Sequence, residues 1–245
     1  MLAMLRGAKE AVERISGCRV YRNSLPHGVD SFFDIGRRLG RDGVKVVFDV
    51  GANVGQSALS YVREFPRAEI FSFEPVAATF QELVTATRQF PRVHPYKLGM
   101  GREPGEAIIN VNPISRMSSI GLSRPEDHPE TITLETIAGF VEKHRLGTID
   151  FLKIDTEGFD LEVLAGAAPL LHQQKVRFVQ SECEPVLRTK QFVNFSALAD
   201  FLADFGYGLF GVYEQQPEWD GRNMLSYWNA LFVCKELIAQ DARLQ

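Results

Sequence analysis

The chain has 245 residues, of which 45% are hydrophobic and 24% charged, so it is long enough for one α/β domain with a substantial core. Its 27 basic and 31 acidic residues give a net charge of −4, which argues against a nucleic-acid-binding surface. The three cysteines, Cys18, Cys183 and Cys234, are too few and too widely spaced for a disulfide framework or a zinc pattern. We therefore expect reduced thiols in a cytoplasmic protein.

Residues 1–42 predict a helical preface that packs on the domain formed by residues 43–245. Charged residues interrupt the apolar start of the chain, so no secretory signal is predicted. Peripheral contact with a membrane surface is the alternative to packing, and no apolar run is long enough to cross a bilayer. In "VDSFFDIGRRLG" the apolar residues recur at helical spacing, and Gly40 stands where a C-terminal cap belongs.

Strand and helix patterns alternate after the preface. The strand patterns are "VKVVFDV", "AEIFSFEP" and the shorter "VHPYKLGMG"; the helix patterns between them are "QSALSYVREF" and "AATFQELVTATRQF". Such alternation predicts a parallel sheet with right-handed crossover connections.

The middle of the chain is less regular. One strand, "AIINV", is followed by a long polar loop from Asn112 to Glu130, and a loop of that length indicates a functional element. The next segment, "TLETIAGFVEKHRLG", predicts an amphipathic helix with Thr133 as its N-cap.

The regular pattern then resumes to the end of the chain. It consists of a buried strand, a helix, a second strand, a second helix and two alternating strands: "IDFLKID", "LEVLAGAAPLL", "VRFVQSECEP", "FSALADFLADFGY", "YGLFGVYE" and "SYWNALFVCK". We predict an α/β fold with a doubly wound, mostly parallel sheet of seven strands, closed by a terminal antiparallel hairpin.

The turn after the first predicted strand carries Asp49, Gly51, Asn53 and Gly55. In an open α/β sheet a ligand binds at this edge, and the two glycines allow the backbone to approach it closely. A phosphate-binding P-loop is excluded, because the required Lys and Ser/Thr do not follow Gly55.

Two other ligands compete for the same turn. A dinucleotide prefers a glycine where Asn53 stands. S-adenosylmethionine fits better, since Asp49 can meet its ammonium group and the backbone N–H groups of the turn can meet its carboxylate. Glu74 ends the second strand nineteen residues after Gly55 and can bond ribose hydroxyls. The alternative is two ordinary turns with surface acids.

Further acids end the next two strands: Asp155, Glu157, Glu182 and Glu184. Gathered at one edge, they could orient a hydroxyl, act as a general base or hold a divalent cation. Alternatively, Asp155 caps the following helix and the glutamates are solvated. His27 and His128 stay open as other general bases, while the histidine spacing argues against a histidine metal site.

With these residues in place, the chain resembles the FkbM family of S-adenosylmethionine-dependent methyltransferases. The blocks that carry the resemblance run from Val46 to Glu184: "FDVGANVG", "FEP", "SSI", "TLETI" and "DFLKIDTEGFDLEVLAGA". The resemblance implies a Rossmann-like class I methyltransferase fold over residues 43–245. It also implies O-methylation, often of hydroxyls on sugars or polyketide-derived rings.

The resemblance further implies roles for individual residues. The four turn residues from Asp49 to Gly55 hold the amino-acid end of the donor, and Glu74 holds the ribose. Ser118 and Ser119 contribute to the cofactor site and border the reaction site together with Asp155. The family often has a glutamate two residues after the glycine of its E-G-x-E block; here Asp160 stands there.

The functional hypothesis is O-methylation of a sugar hydroxyl on a glycan, glycolipid or lipo-oligosaccharide, such as a deoxyhexose. Asp155 is the predicted catalytic residue, assisted by Glu182. A polyketide or other small-molecule hydroxyl is the alternative acceptor. An NAD-dependent oxidoreductase and a non-catalytic nucleotide-binding module are the alternative functions.

Overall fold

The computed structural model describes residues 12–16, 18, 21, 25–185, 191–217 and 224–241. Residues 1–11, on which most of the predicted amphipathic start falls, lie outside the described residues. The helices are α1 (Ser31–Leu39), α2 (Gln56–Glu64), α3 (Ala77–Thr87), α4 (Ile137–Lys143), α5 (Asp160–His172), α6 (Phe195–Asp204) and α7 (Lys235–Asp241). The strands are β1 (Val46–Val50), β2 (Glu69–Phe73), β3 (Val93–Tyr96), β4 (Gly99–Met100), β5 (Gly105–Val111), β6 (His128–Glu135), β7 (Ile149–Ile154), β8 (Val176–Glu184), β9 (Val193–Asn194), β10 (Tyr207–Pro217) and β11 (Leu225–Cys234).

The main sheet has the strand order β3-β2-β1-β7-β8-β11-β10 within the described part of the chain, and the two-residue β9 pairs with β8. The five strands β3, β2, β1, β7 and β8 run parallel to one another. Strand β11 runs antiparallel to both β8 and β10. The order reverses direction between β1 and β7, which makes the carboxyl ends of these two strands the topological switch point. The predicted doubly wound sheet with a terminal hairpin is confirmed.

The central strands are apolar because helices cover both faces of the sheet. Every residue of β7 is buried, and so are the last four of β1. Aromatic rings fill one of the layers between sheet and helices: Phe73 meets Phe140 edge to face at 4.9 Å, and Phe140 meets Phe48 at 5.7 Å. This packing holds the strand ends in fixed positions.

A second sheet, with strand order β4-β6-β5, was not predicted from the sequence. The pattern "VHPYKLGMG" forms two short strands in different sheets rather than one. The polar loop ends at residue 127, because β6 begins at His128, inside the predicted loop. Ile132 is buried between exposed Thr131 and Thr133, and this period of two identifies a strand where the sequence was assigned to loop and helix.

The predicted N-cap of α4 was therefore wrong. Thr133 pairs with Glu106 inside β6, and the helix begins four residues later, at Ile137. Thr136 is the N-cap, and its side chain accepts a hydrogen bond from the backbone N–H of Gly139 at 2.9 Å. Ile137 and Phe140 are buried as the helical pattern predicted.

Helix α1 packs on the main sheet, as expected for the end of the preface. Phe32 meets Tyr61, Phe65 and Phe151 edge to face, with ring centroids 5.5–6.4 Å apart. The buried carboxylate of Asp34 accepts a hydrogen bond from the Tyr213 hydroxyl at 2.9 Å. The division at residue 42 stays a prediction.

Two further sequence predictions concern thiols and membranes. Cys18 is exposed, while Cys183 and Cys234 are buried, and all three are free thiols. In the part of the chain that the structure describes, no helix has the length and apolar character needed to cross a membrane.

The tight crossing of α5 over the turn after β4 makes a prediction about stability. In a helix interior, alanine is normally more favourable than glycine by about 1 kcal/mol. At Gly166, however, a Cβ would lie 2.0 Å from the carbonyl oxygen of Gly101. We expect Gly166→Ala to destabilise the protein by about 2–3 kcal/mol, since backbone must move.

Urea denaturation followed by tryptophan fluorescence measures this change. Gly105→Ala is the matched control, because a Cβ there meets no atom within 4 Å. A Gly166→Ala variant as stable as the wild type would contradict the described helix crossing.

Candidate active site

A cavity of about 680 Å³ opens at the carboxyl ends of β1, β2, β7 and β8. The polar loop at residues 112–127 contributes one part of its wall, and β11 contributes another. The cavity therefore lies at the switch point, where an open parallel sheet binds its ligand.

The turn after β1 is held by a close backbone contact with the turn after β7. Gly51, Asn53 and Gly55 all have positive φ angles, of 82°, 49° and 96°. A Cβ at Gly51 would lie 1.9 Å from the carbonyl oxygen of Asp155, so only glycine fits there. The Asp155 backbone N–H also donates to the carbonyl of Val50 at 3.0 Å.

Glu74 joins this turn to the end of β2. Its two carboxylate oxygens accept hydrogen bonds from the backbone N–H groups of Asn53 at 3.0 Å and Val76 at 2.9 Å. The residue is 7% exposed and lines the cavity. Burial raises the pKa of Glu74 to about 7, although both hydrogen bonds oppose the shift.

Asp49 lies beneath the cavity rather than in its wall. The side chain is fully buried, and neither carboxylate oxygen has a hydrogen-bond partner among the described residues. Burial raises its pKa to about 6, while the charge of Lys153 opposes the shift. The salt bridge predicted between Asp49 and a donor ammonium stays a prediction.

Three carboxyl groups stand together in the cavity wall at the ends of β7 and β8: Asp155, Glu157 and Glu182. Burial, reinforced by the charge of Asp155, raises the pKa of both Glu157 and Glu182 to about 8. Glu184 is also buried but does not line the cavity. The structure thus brings the two predicted catalytic residues, Asp155 and Glu182, into one cluster.

Lys153 lies under this cluster and was missed by sequence reasoning. Its Nζ donates to the carboxylate of Asp155 at 2.8 Å, and β-sheet register places it beside Asp49. Burial lowers the pKa of Lys153, but the carboxylates of Asp155 and Asp49 outweigh burial and raise it overall. A lysine between Leu152 and Ile154 in a buried strand was the available signal.

The polar loop is hydrogen-bonded to both turns. The Ser115 hydroxyl donates to the Asn53 side-chain oxygen at 2.8 Å, and the Ser119 hydroxyl donates to the Glu157 carbonyl at 2.9 Å. Ser118 lines the cavity, and its hydroxyl oxygen accepts from the Asn112 backbone N–H at 3.0 Å. Ser119 is buried and supports the wall from behind.

Asp160, which replaces the glutamate of the family block, is buried in a network of its own. Its carboxylate accepts hydrogen bonds from the hydroxyls of Ser181 at 2.8 Å and Thr156 at 2.7 Å. The shorter acid therefore ties the start of α5 to β7 and β8 and does not line the cavity.

The two sides of the cavity differ in character. The side next to β2 and β3 is apolar and suits a planar base; it is lined by Val76, Leu98, Met100, Ile109, Ile120 and Ile132. The side next to β8 and β11 carries the carboxyl cluster and two stacked rings, Phe192 and Tyr227. Sequence reasoning missed these rings, since they come from distant segments with no shared motif.

The other candidates do not reach the cavity wall. His27 lies against Phe210, whose carbonyl oxygen is 2.6 Å from its Nε2, and His128 begins β6. Within the described ranges, no group of three or more His, Cys, Asp or Glu side chains is placed to hold a metal ion. The divalent cation stays a prediction from the sequence.

The strand order and the cavity at the switch point define a Rossmann-like class I methyltransferase fold. The model of the methyltransferase FkbM domain matches residues 49–209, more than half of the chain. The chain belongs to the FkbM methyltransferase family, and the resemblance drawn from the sequence is confirmed.

Two curated relatives are similar to this chain. Hexuronic acid methyltransferase AglP of Haloferax volcanii is 31% identical over 116 residues, covering 46% of each chain. Methyltransferase 1 of Beauveria bassiana is 25% identical over 136 residues, covering 46% of this chain and 55% of the relative. The chain thus matches about half the length of both relatives. Among solved structures, TrmK of M. capricolum has a TM-score of 0.48 and 10% identity, covering 82% of this chain and 67% of TrmK.

The raised pKa values predict how stability depends on pH. The folded protein binds a proton at Glu157 with a pKa of about 8, above the ordinary glutamate value of 4.5. The unfolding free energy should therefore fall as pH rises through this interval, because the unfolded chain releases the proton first. We expect Tm to decrease between about pH 6 and about pH 9, and to decrease less in Glu157→Gln.

Thermal denaturation across this pH range gives the measurement. Glu162→Gln is the control, because Arg102 lowers the pKa of that exposed glutamate and its removal should leave the alkaline slope unchanged. Identical slopes in Glu157→Gln and the wild type would show that the carboxyl cluster does not hold this proton.

Proposed function

We propose that this protein is an S-adenosylmethionine-dependent O-methyltransferase. The observation that carries the proposal is the cavity itself, in which a glycine turn, a buried strand-end glutamate and an apolar wall meet a carboxyl cluster. Membership of the FkbM family supports the same conclusion. A cytoplasmic location is part of this proposal and rests on the sequence.

The residues present fit the donor. Gly51 lines the cavity without a side chain, so the amino-acid end of the donor could lie close to the backbone of the turn. Glu74 would hold the ribose hydroxyls, and the apolar wall would cover the adenine. Asp49 does not line the cavity, so its negative charge would act on the donor ammonium from below, without direct contact.

The carboxyl cluster supplies the chemistry that this chain contributes. When bound, S-adenosylmethionine supplies a methyl group on a positively charged sulfur, and the acceptor oxygen gains positive charge as it takes that methyl group. Asp155 would stabilise this charge and accept the hydroxyl proton, and Glu182 beside it would assist by a hydrogen bond to the acceptor hydroxyl. Lys153 holds the carboxylate of Asp155 in a fixed orientation at the cavity floor.

We propose a sugar hydroxyl on a glycan, glycolipid or lipo-oligosaccharide as the acceptor. The family resemblance supports it, and one relative is named as a hexuronic acid methyltransferase. A polyketide-derived hydroxyl is the second candidate on the same resemblance.

The donor assignment predicts selective binding of S-adenosylhomocysteine. Calorimetry should show saturable binding of this product analogue and none of NAD, since Asn53 stands where a dinucleotide needs glycine. Glu74→Gln should weaken binding about 10-fold or more, because a carboxylate that accepts ribose hydroxyls is lost. Glu69→Gln is the control on the same strand, as its side chain is exposed and pairs with His94. Binding of NAD instead would favour an oxidoreductase, and binding of neither would favour a non-catalytic module.

The assignment of Asp155 predicts a separation of binding from turnover. In Asp155→Asn, affinity for S-adenosylhomocysteine should stay within a few-fold while methyl transfer falls by about 10²–10⁴. Labelled donor with a panel of methyl glycosides, read by mass spectrometry, measures the transfer. Glu162→Gln serves as the control, being an exposed acid outside the cavity wall. Undiminished transfer by Asp155→Asn would remove Asp155 from the mechanism.

A further inference from the structure

We propose that Phe192 and Tyr227 form the platform on which the acceptor ring lies, and that the carboxyl groups beside them select an uncharged pyranose over a hexuronic acid. This inference rests on the proposed function. It names the class of acceptor that the same cavity takes.

The platform is built from two stacked rings. Phe192 precedes β9, and Tyr227 lies in β11. Their ring centroids are 4.7 Å apart with an angle of 16° between the planes, and both side chains are half-buried and line the cavity. Each ring supports the other on one face, so a rigid aromatic surface borders the cavity. One face of a pyranose is a patch of C–H groups, which gains from packing on such a surface.

The platform lies beside the proposed catalytic groups and away from the apolar wall. Strand order places β11 next to β8, on the opposite side of β1 and β7 from β2 and β3. The pKa of the Tyr227 hydroxyl is raised by burial and by the carboxyl groups of Glu182, Asp155 and Glu157. A ring on the platform therefore has its hydroxyls next to the carboxyl cluster.

The carboxyl cluster should discriminate between a neutral pyranose and a hexuronic acid by charge. Glu157 and Glu182 hold protons with pKa values of about 8, because burial and neighbouring acids disfavour their ionised forms. The same burial and neighbouring acids that destabilise the ionised forms of Glu157 and Glu182 would also destabilise a carboxylate on the ligand. The ammonium of Lys153 beneath the wall is already bonded to Asp155.

Arg116 is the opposing consideration, since it also lines the cavity. It lies in the loop with its side chain exposed to solvent, where its charge is screened. Its charge lowers the pKa of Tyr227 but contributes less than that of Glu182. A solvent-screened cation offsets only part of the cost of placing a ligand carboxylate beside three half-buried carboxyl groups.

Saturation-transfer NMR with two defined sugars tests the proposal. The probes are methyl α-L-fucopyranoside, which is neutral, and methyl β-D-glucuronopyranoside, which is anionic, each titrated in the presence of S-adenosylhomocysteine. We expect the fucoside to bind more tightly than the glucuronide. Tyr227→Ala should weaken fucoside binding about 10-fold, while Tyr227→Phe, which keeps the ring, should bind as the wild type does.

The pH dependence of the preference tests the role of charge. Glu157 and Glu182 have pKa values of about 8, so both are ionised at about pH 9 and neutral at about pH 6, and the preference for the fucoside should be larger at the higher pH. Glu182→Gln should reduce the preference at about pH 9, because one of these charges is absent.

Three outcomes would overturn the inference: tighter binding of the glucuronide, fucoside binding that survives Tyr227→Ala, or no binding of either sugar to protein that binds S-adenosylhomocysteine. Calorimetry of S-adenosylhomocysteine in the same samples tests the donor site independently. If the wild type does not bind S-adenosylhomocysteine, the result counts against the proposed function. If it binds S-adenosylhomocysteine but prefers the glucuronide, the result counts only against the platform.

Discussion

The contact between the backbones of Gly51 and Asp155 is the constraint on which the site depends. A Cβ at Gly51 would lie 1.9 Å from the Asp155 carbonyl oxygen, so the turns after β1 and β7 fit together only because one residue has no side chain. The contact sets the distance between the turn that would hold the donor and the carboxylate that would meet the acceptor. Transfer between two bound partners depends on that distance, and here backbone atoms fix it.

Electrostatics is the second organising feature. One buried ammonium, that of Lys153, lies among the carboxyl groups of Asp49, Asp155 and Glu182. Burial of so many acids is unfavourable unless some hold protons, and the raised pKa values of Asp49 and Glu182 reflect that. The fold maintains this unfavourable cluster at the carboxyl edge of a largely apolar sheet. Such concentration of perturbed carboxyl groups in one cavity is typical of a functional site.

The sequence predicted the main sheet well and the second sheet not at all. Strands β1 and β7 are buried on both faces, so their apolar runs are unmistakable and their ends locate Gly51 and Asp155. Strand β6 is exposed on one face, and its alternation of Thr131, Ile132 and Thr133 is short enough to merge with the helix that follows. Phe192 and Tyr227 had no local signal, since they meet only through the pairing of β8 with β9 and β11. Local periodicity thus located the side of the cavity proposed for the donor, while long-range strand pairing built the side proposed for the acceptor.

The hydrogen bond from Ser115 to Asn53 joins those two sides. It connects the loop at residues 112–127, which lines the cavity, to the side chain of the residue that shapes the donor turn. A loop held in this way is not a free module that can be exchanged to change the acceptor. A replacement loop would have to keep the hydrogen bond to Asn53, because the turn that it reaches is the one proposed to hold the donor.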